Sequence, residues 1–183
     1  MTSVVSSATV QAAQAAHSAA ASLASTQQIK PGASIPDIQI KENDPKQTFS
    51  LAGLPGKNII LGVPGAYTGS CSAQIPEYVK KYSEFQNKGI KGIYVVAVND
   101  VFVMKAWKEN IAPQGTEVHF IADDQGSLST ALGLLFDATP LLGGPRSKRA
   151  ALIVEDGKVL DILVEAAPPD VILTKADNVL SKL

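Results

Sequence analysis

The only cysteine of this 183-residue chain, Cys71, stands between an apolar run and an amphipathic one, and that position governs what its sulfur can do. Residues 58–63 (NIILGV) read as a strand. Ile75, Val79, Tyr82 and Phe85 then recur at helical spacing, so the cysteine falls at a helix start. A sulfur there faces free backbone N–H groups and partial positive charge, which favours thiolate over thiol and lowers the pKa from the unperturbed ~8.5. The thiolate is the nucleophile. The intervening loop is Pro64-Gly65-Ala66-Tyr67-Thr68-Gly69-Ser70-Cys71. Pro64 closes the strand and shields the sulfur from bulk water. Thr68 can turn its hydroxyl into the same pocket, to accept or donate, and Gly65 and Gly69 let the backbone come close. A thiolate that attacks one oxygen of an O–O bond drives negative charge onto the other, so donors fixed around the leaving oxygen lower the barrier. The bland reading makes Cys71 a small buried hydrophobe on a redox-linked binding protein or chaperone. A Cys-x-x-Cys oxidoreductase is excluded, because Gln74 stands three residues on.

The rest of the composition narrows the partners. Sixteen basic against seventeen acidic side chains give a net charge of -1, which argues against a nucleic-acid binder that relies on counterion release. No apolar run approaches the roughly 18–20 residues of a membrane span. One cysteine cannot form an internal disulfide, which fits a reducing compartment. His17 and His119 lie far apart and read as surface or capping residues, so neither a metal site nor a bound cofactor is expected.

Residues 1–28 are Ala- and Ser-rich with no charged side chain, and read as an extension, disordered or loosely helical; the domain is expected over 29–183. Within it, 38–40 and 48–51 read as a hairpin turning at Asn43-Asp44-Pro45, and 93–98 as a second buried strand completing a β-α-β unit. Gly89 stops the intervening helix. Residues 101–110 read as a helix capped by Asn99-Asp100, with Phe102, Met104 and Trp107 partly facing the core. Next come a strand at 118–122, a short helix at 128–135, a hairpin of 149–155 with 158–164 around Asp156-Gly157, and a closing helix over 170–183. This is an α/β chain of thioredoxin-like fold, a central mixed sheet flanked by helices.

Pro64, Thr68 and Cys71 match P-x-x-x-T/S-x-x-C, and the string VPGAYTGSCSAQIPEYVKKYSEF, with VVAVND and VFVMKAW after it, resembles the type 5 subgroup of the peroxiredoxins over roughly residues 30–183. The resemblance implies a thiol-dependent peroxidase reducing hydrogen peroxide and alkyl hydroperoxides through a sulfenic acid at Cys71. It also implies an arginine from a later strand that holds the thiolate and orients the peroxide. The segment RAALIVEDG resembles the family's R-x-x-x-V-V-x-x-G, which makes Arg149 the counterpart; Arg146 is the alternative, and a plain surface arginine in a basic loop remains the other reading. Many relatives have proline where Gly69 stands and a histidine within the segment that here reads Cys71 to Pro76, one residue shorter, which points to a reshaped first helical turn. Some relatives carry a second, resolving cysteine near the C-terminal helix, whereas none stands near Leu173. The mechanism implied is one-cysteine, with an external thiol as reductant, either glutathione with glutaredoxin or thioredoxin. A homodimer is implied by resemblance. Ser181-Lys182-Leu183 matches the peroxisomal tripeptide, so a peroxisomal location is expected, with the cytoplasm as the alternative.

Overall fold

A computed structural model describes residues 27–183. The readings of His17 and of nearly all of the 1–28 extension lie outside the described residues. The first half runs β1 (Ile40–Lys41), β2 (Thr48–Phe49), β3 (Lys57–Gly62), α1 (Gly69–Lys80), α2 (Tyr82–Asn87), β4 (Ile90–Ala97), α3 (Val101–Ile111) and β5 (His119–Ala122). The second runs α4 (Ser127–Ala131), β6 (Leu135–Asp137), α5 (Thr139–Leu142), β7 (Pro145–Ser147), β8 (Ala150–Glu155), β9 (Lys158–Val164) and α6 (Ala176–Leu180). Seven strands form one sheet in the order β2-β1-β5-β4-β3-β8-β9. Its centre, β3, β4 and β5, is parallel, and β8, β9, β1 and β2 add antiparallel on either side. This is the expected mixed, thioredoxin-like sheet.

The central strands are apolar and buried through 59–61, 93–97 and 120–122 because both faces are covered there. Successive side chains go to opposite sides: Ile59 and Leu61 join one core with Ile75, Tyr78, Phe85, Trp107 and Val179, while Ile60 joins the other with Leu51, Leu128, Leu132 and Leu152. Each such aliphatic side chain stabilises the fold by roughly 1.5–3 kcal/mol. Cys71 belongs to the first core and is wholly buried.

The structure departs from the sequence reading at five places. The amphipathic stretch after Cys71 is two helices rather than one, parting at Lys81, whose ammonium pairs with Asp177 of α6. Phe102 is 65% exposed and faces away from the core, and Trp107 instead packs edge-to-face on Phe120, with ring centroids 5.3 Å apart. The helix expected over 128–135 ends at Ala131, because Gly133 turns left-handed (φ 65°) and Leu135 opens a strand. That strand, β6, pairs with β7 in a small second sheet that the sequence reading missed. The closing helix is limited to Ala176–Leu180, because residues 172 and 174 give their N–H groups to the Glu165 carboxylate instead of to a helical ladder. By contrast, the hairpin turn at Asp156-Gly157 is as read: both residues have positive φ (47° and 73°), the type I′ geometry that matches strand twist.

Candidate active site

The site forms where β3 ends and the chain turns into α1. Tyr67 takes a left-handed conformation (φ 60°), uncommon for a side chain of its kind, and this swings the chain so that Thr68 becomes the residue preceding the helix. Cys71 is the third residue of α1, within the turn whose N–H groups have no helical acceptor. Pro64 is buried at the strand exit. Thr68 does not cap the helix with its side chain; its Oγ1 donates to the Gly65 carbonyl at 3.1 Å, closing the loop on itself. The amide of Ala66 is held by Asn99 Oδ1 at 3.0 Å, so the loop is tied to the start of α3 as well.

From the other side comes Arg149, immediately before β8. Gly62 makes the approach possible: a Cβ there would stand 2.8 Å from Ser147 Oγ and 3.0 Å from the Lys148 carbonyl, so only glycine lets that segment lie flush on β3. Arg149 is 2% exposed, and its Nη1 reaches the Cys71 sulfur at 3.4 Å. The same nitrogen donates to Gln74 Oε1 at 2.7 Å, Nη2 donates to the Pro168 carbonyl at 2.9 Å, and Nε has no partner. Every oxygen touching this guanidinium is neutral, and no carboxylate among the described residues forms an ion pair with it. A buried cation without a counter-charge costs several kcal/mol, and the Cys71 sulfur is the one hydrogen-bonded neighbour among the described residues whose chemistry allows it to carry a negative charge.

Arg146 does different work. It sits on β7, donating from Nη1 to the Val98 carbonyl and from Nη2 to the Leu142 carbonyl, both at 2.9 Å. It braces the loops around the site, and the structure brings Arg149 rather than Arg146 to the sulfur.

Several contributors escaped the sequence reading. Gln74, 4% exposed, hands its Nε2 protons to the carbonyl and the Oγ1 of Thr174, both at 2.9 Å. Tyr78 donates its hydroxyl to that carbonyl at 2.7 Å; burial first, and then the charge of Glu165, push the phenol up, so it stays a donor. Glu165 Oε1 accepts from the N–H groups of Ile172 and Thr174 and from the Thr174 hydroxyl, each at 2.8 Å. Burial would raise the Glu165 pKa, but the hydrogen bonds from Thr174, Ile172 and Leu173 together outweigh it and hold the carboxyl below the usual range. Trp107 Nε1 donates to Ser72 Oγ at 3.2 Å, beside the cysteine. Only a polar residue at a buried helical position, Gln74, could have signalled this network; its partner Thr174 lies 100 positions away in sequence.

Two clefts flank the arrangement. One of ≈ 430 Å³ is lined by Ser70, Ala73 and Gln74 and, across from them, Val171, Lys175 and Ala176. The other, ≈ 450 Å³, reaches Arg149 between Lys148, Glu165 and Pro168.

Comparison with known proteins bears on the fold and the family. The Redoxin family model matches residues 30–180. The chain is 47% identical over 153 residues to peroxisomal membrane associated protein 20 of Schizosaccharomyces pombe, covering 83% of this chain and 97% of that protein. It is 40% identical over 155 residues to peroxiredoxin-2B of Arabidopsis thaliana, covering 81% and 94%. Among solved structures it resembles reduced Prx3 of Vibrio vulnificus in complex with hydrogen peroxide, with TM-score 0.78, 32% identity and coverage of 85% and 100%. It also resembles peroxiredoxin 5 of Alvinella pompejana, with TM-score 0.71, 35% identity and coverage of 75% and 90%.

Proposed function

The chain belongs to the peroxiredoxin family, in its type 5 subgroup, and is a thiol-dependent peroxidase; from that premise we propose that Cys71 is its reacting sulfur and that Arg149, Thr68 and Pro64 form the pocket around it. The observation that carries the reading is the buried Arg149 guanidinium, which has neutral oxygens and the Cys71 sulfur as its only hydrogen-bond partners among the described residues. Held beside that cation and the first N–H groups of α1, the sulfur reacts as thiolate.

The thiolate attacks the nearer oxygen of a hydroperoxide: an S–O bond forms, the O–O bond breaks, and the leaving alkoxide or hydroxide takes a proton to become alcohol or water. Arg149 meets the charge that develops on the departing oxygen. Thr68, whose hydroxyl proton is given to Gly65, keeps lone pairs free to accept from the peroxide O–H and so fix which oxygen faces the sulfur. Pro64 has no N–H to compete and keeps water out. Hydrogen peroxide and alkyl hydroperoxides are the substrates proposed, and the Vibrio vulnificus relative with hydrogen peroxide bound supports the first.

The product is a sulfenic acid at Cys71. With one cysteine in the sequence, an external thiol condenses with it, releasing water and leaving a mixed disulfide; a second thiol then frees the thiolate. Glutathione with glutaredoxin, or thioredoxin, fills that role. Tyr67 on the loop before α1, Phe102 at the start of α3 and Leu141 on α5, exposed by 53, 65 and 90%, lie on segments tied together through Asn99 and Arg146, and support a second copy of the chain docking there. A peroxisomal location is supported by the name of the Schizosaccharomyces pombe relative; a fluorescent reporter ending in residues 181–183 should collect in peroxisomes, and diffuse signal would remove the assignment.

Replacing Cys71 by serine tests the core of the proposal. Peroxide consumption in the presence of external thiol should vanish, and intact-mass spectra after peroxide should lose the one-oxygen adduct; turnover surviving in Cys71→Ser would refute it.

A further inference from the structure

We propose that Thr174 and Glu165, on the segment after β9, are positioning residues for the peroxide step: they fix the direction of the Gln74 amide and through it the place of the Arg149 guanidinium. The inference rests on the reading of Arg149 as partner of the Cys71 thiolate.

Donor and acceptor accounting carries it. An amide side chain can point either way, and only one direction serves Arg149, which must be met by oxygen and not by NH₂. That direction is dictated from the far side. The Thr174 carbonyl can only accept, and the Thr174 hydroxyl spends its single proton on Glu165 Oε1, so both Thr174 oxygens face Gln74 as acceptors. Gln74 must then present Nε2 to Thr174 and Oε1 to Arg149, as the distances of 2.9 and 2.7 Å record. Tyr78 donates to the same Thr174 carbonyl, and the Thr174 amide is spent on Glu165, so this residue has no freedom to turn. Pro168, on the same segment, holds the other guanidinium nitrogen. The segment thus clasps Arg149 with neutral oxygens alone, and leaves the cation's charge for sulfur.

A carboxylate at position 74 would hold the guanidinium as firmly but would compete with the thiolate for its charge. At position 74 this chain uses an amide, and an amide needs something to orient it. This gives a function to a residue that differs from the histidine many relatives have in this segment, and to a threonine wholly buried far from the cysteine in sequence.

The test uses the full chain and two readouts independent of turnover: the ultraviolet absorbance of the thiolate against pH, and stopped-flow fluorescence of Trp107, the only tryptophan, on mixing with hydrogen peroxide. Thr174→Val removes the hydroxyl at nearly constant volume. It should slow the peroxide step about tenfold, the size of a lost hydrogen bond near a charged group, and move the thiolate titration to higher pH. Thr174→Ser, which keeps both roles of the hydroxyl, should restore both to within about twofold. Gln74→Met, which removes the acceptor itself, should do more damage than Thr174→Val and serves if the valine variant fails to fold. Folded Thr174→Val or Gln74→Met with an unmoved titration and an unchanged peroxide step overturns the inference, as does a serine variant as slow as the valine. Failure of the underlying reading is seen separately, as a folded Arg149→Ala variant whose thiolate titration and peroxide step are unchanged.

Discussion

The molecule holds two clusters of charged side chains against its sheet, and they are satisfied in opposite ways. At the β1–β5 edge, Glu42 accepts from His119 Nδ1 at 3.0 Å and lies 3.6 Å from Lys108 Nζ, while the His119 ring stacks on Tyr94 with centroids 4.6 Å apart. There acid meets base, partly in solvent, and nothing is left over. At the β3–α1 end, Arg149 is buried with no acid bonded to its guanidinium, whose direct partners are neutral oxygens and one sulfur. A closed cluster of the first kind contributes to stability by modest amounts. An open one of the second kind is a place where charge of the other sign can be generated, which is what a reaction that makes and moves anions requires.

The largest effect that could break this contrast is on rate. Removing one preorganised donor from a developing oxyanion costs about 10²–10³-fold, so Arg149→Ala should slow the peroxide step by that order while the protein stays folded. Glu42→Gln, in the closed cluster, should leave the step within about twofold and cost about 1 kcal/mol of stability at most. Stopped-flow oxidation of the two variants side by side decides it: an unimpaired Arg149→Ala takes that residue out of the site, and a Glu42→Gln slowed as much as Arg149→Ala would mean that the clusters are not functionally distinct.

The two clusters also differed in how far the sequence disclosed them. Cys71, Pro64, Thr68 and the β-α-β frame were readable because the cues are local: an apolar run, a proline, a glycine loop and a helical repeat within thirty residues. Arg149 came through a resemblance, since nothing in its own neighbourhood marks it as buried; the residues on either side of it lie flush against Gly62, on a strand far back in the chain. The choice between Arg146 and Arg149 turns on the β6–β7 ribbon, which directs Arg146 to two carbonyls and which no period in 135–147 announces. Likewise the helix read over 170–183 follows its pattern only for Ala176–Leu180, because upstream N–H groups found a better acceptor in Glu165. Phe102 shows the converse error: an aromatic at plausible helical spacing points to solvent. Local propensity reads local structure, and it misses wherever a distant side chain outbids the ladder.

The smallest effect sharpens the comparison most, because both clusters contain a carboxylate held below its usual range, for different reasons. In each, burial alone would raise the pKa. For Glu42 it is outweighed by the hydrogen bond and charge of His119 together with the Lys108 charge and a backbone bond from Phe120, and for Glu165 by hydrogen bonds from neutral donors of 172–174. A folded-state pKa below the unfolded value, about 4.3 for Glu, means that the folded state binds fewer protons in that window. The stability from each group is therefore present above the unfolded pKa and lost as pH falls through the folded one. Glu42→Gln and Glu165→Gln should each be less stable than the parent chain near neutrality, with the gap closing on acidification below about pH 4. Salt separates them. Charge–charge attraction at the half-exposed edge is screened, with a Debye length of about 3 Å at 1 M against about 10 Å at 0.1 M, whereas hydrogen bonds from buried neutral donors are not. Thermal melts across pH 3–7 in low and high salt should shrink the Glu42 contribution and leave that of Glu165. Equal salt sensitivity in the two variants would mean that the Thr174 clasp is held by long-range charge, and the contrast between an open and a closed cluster would lose its electrostatic basis.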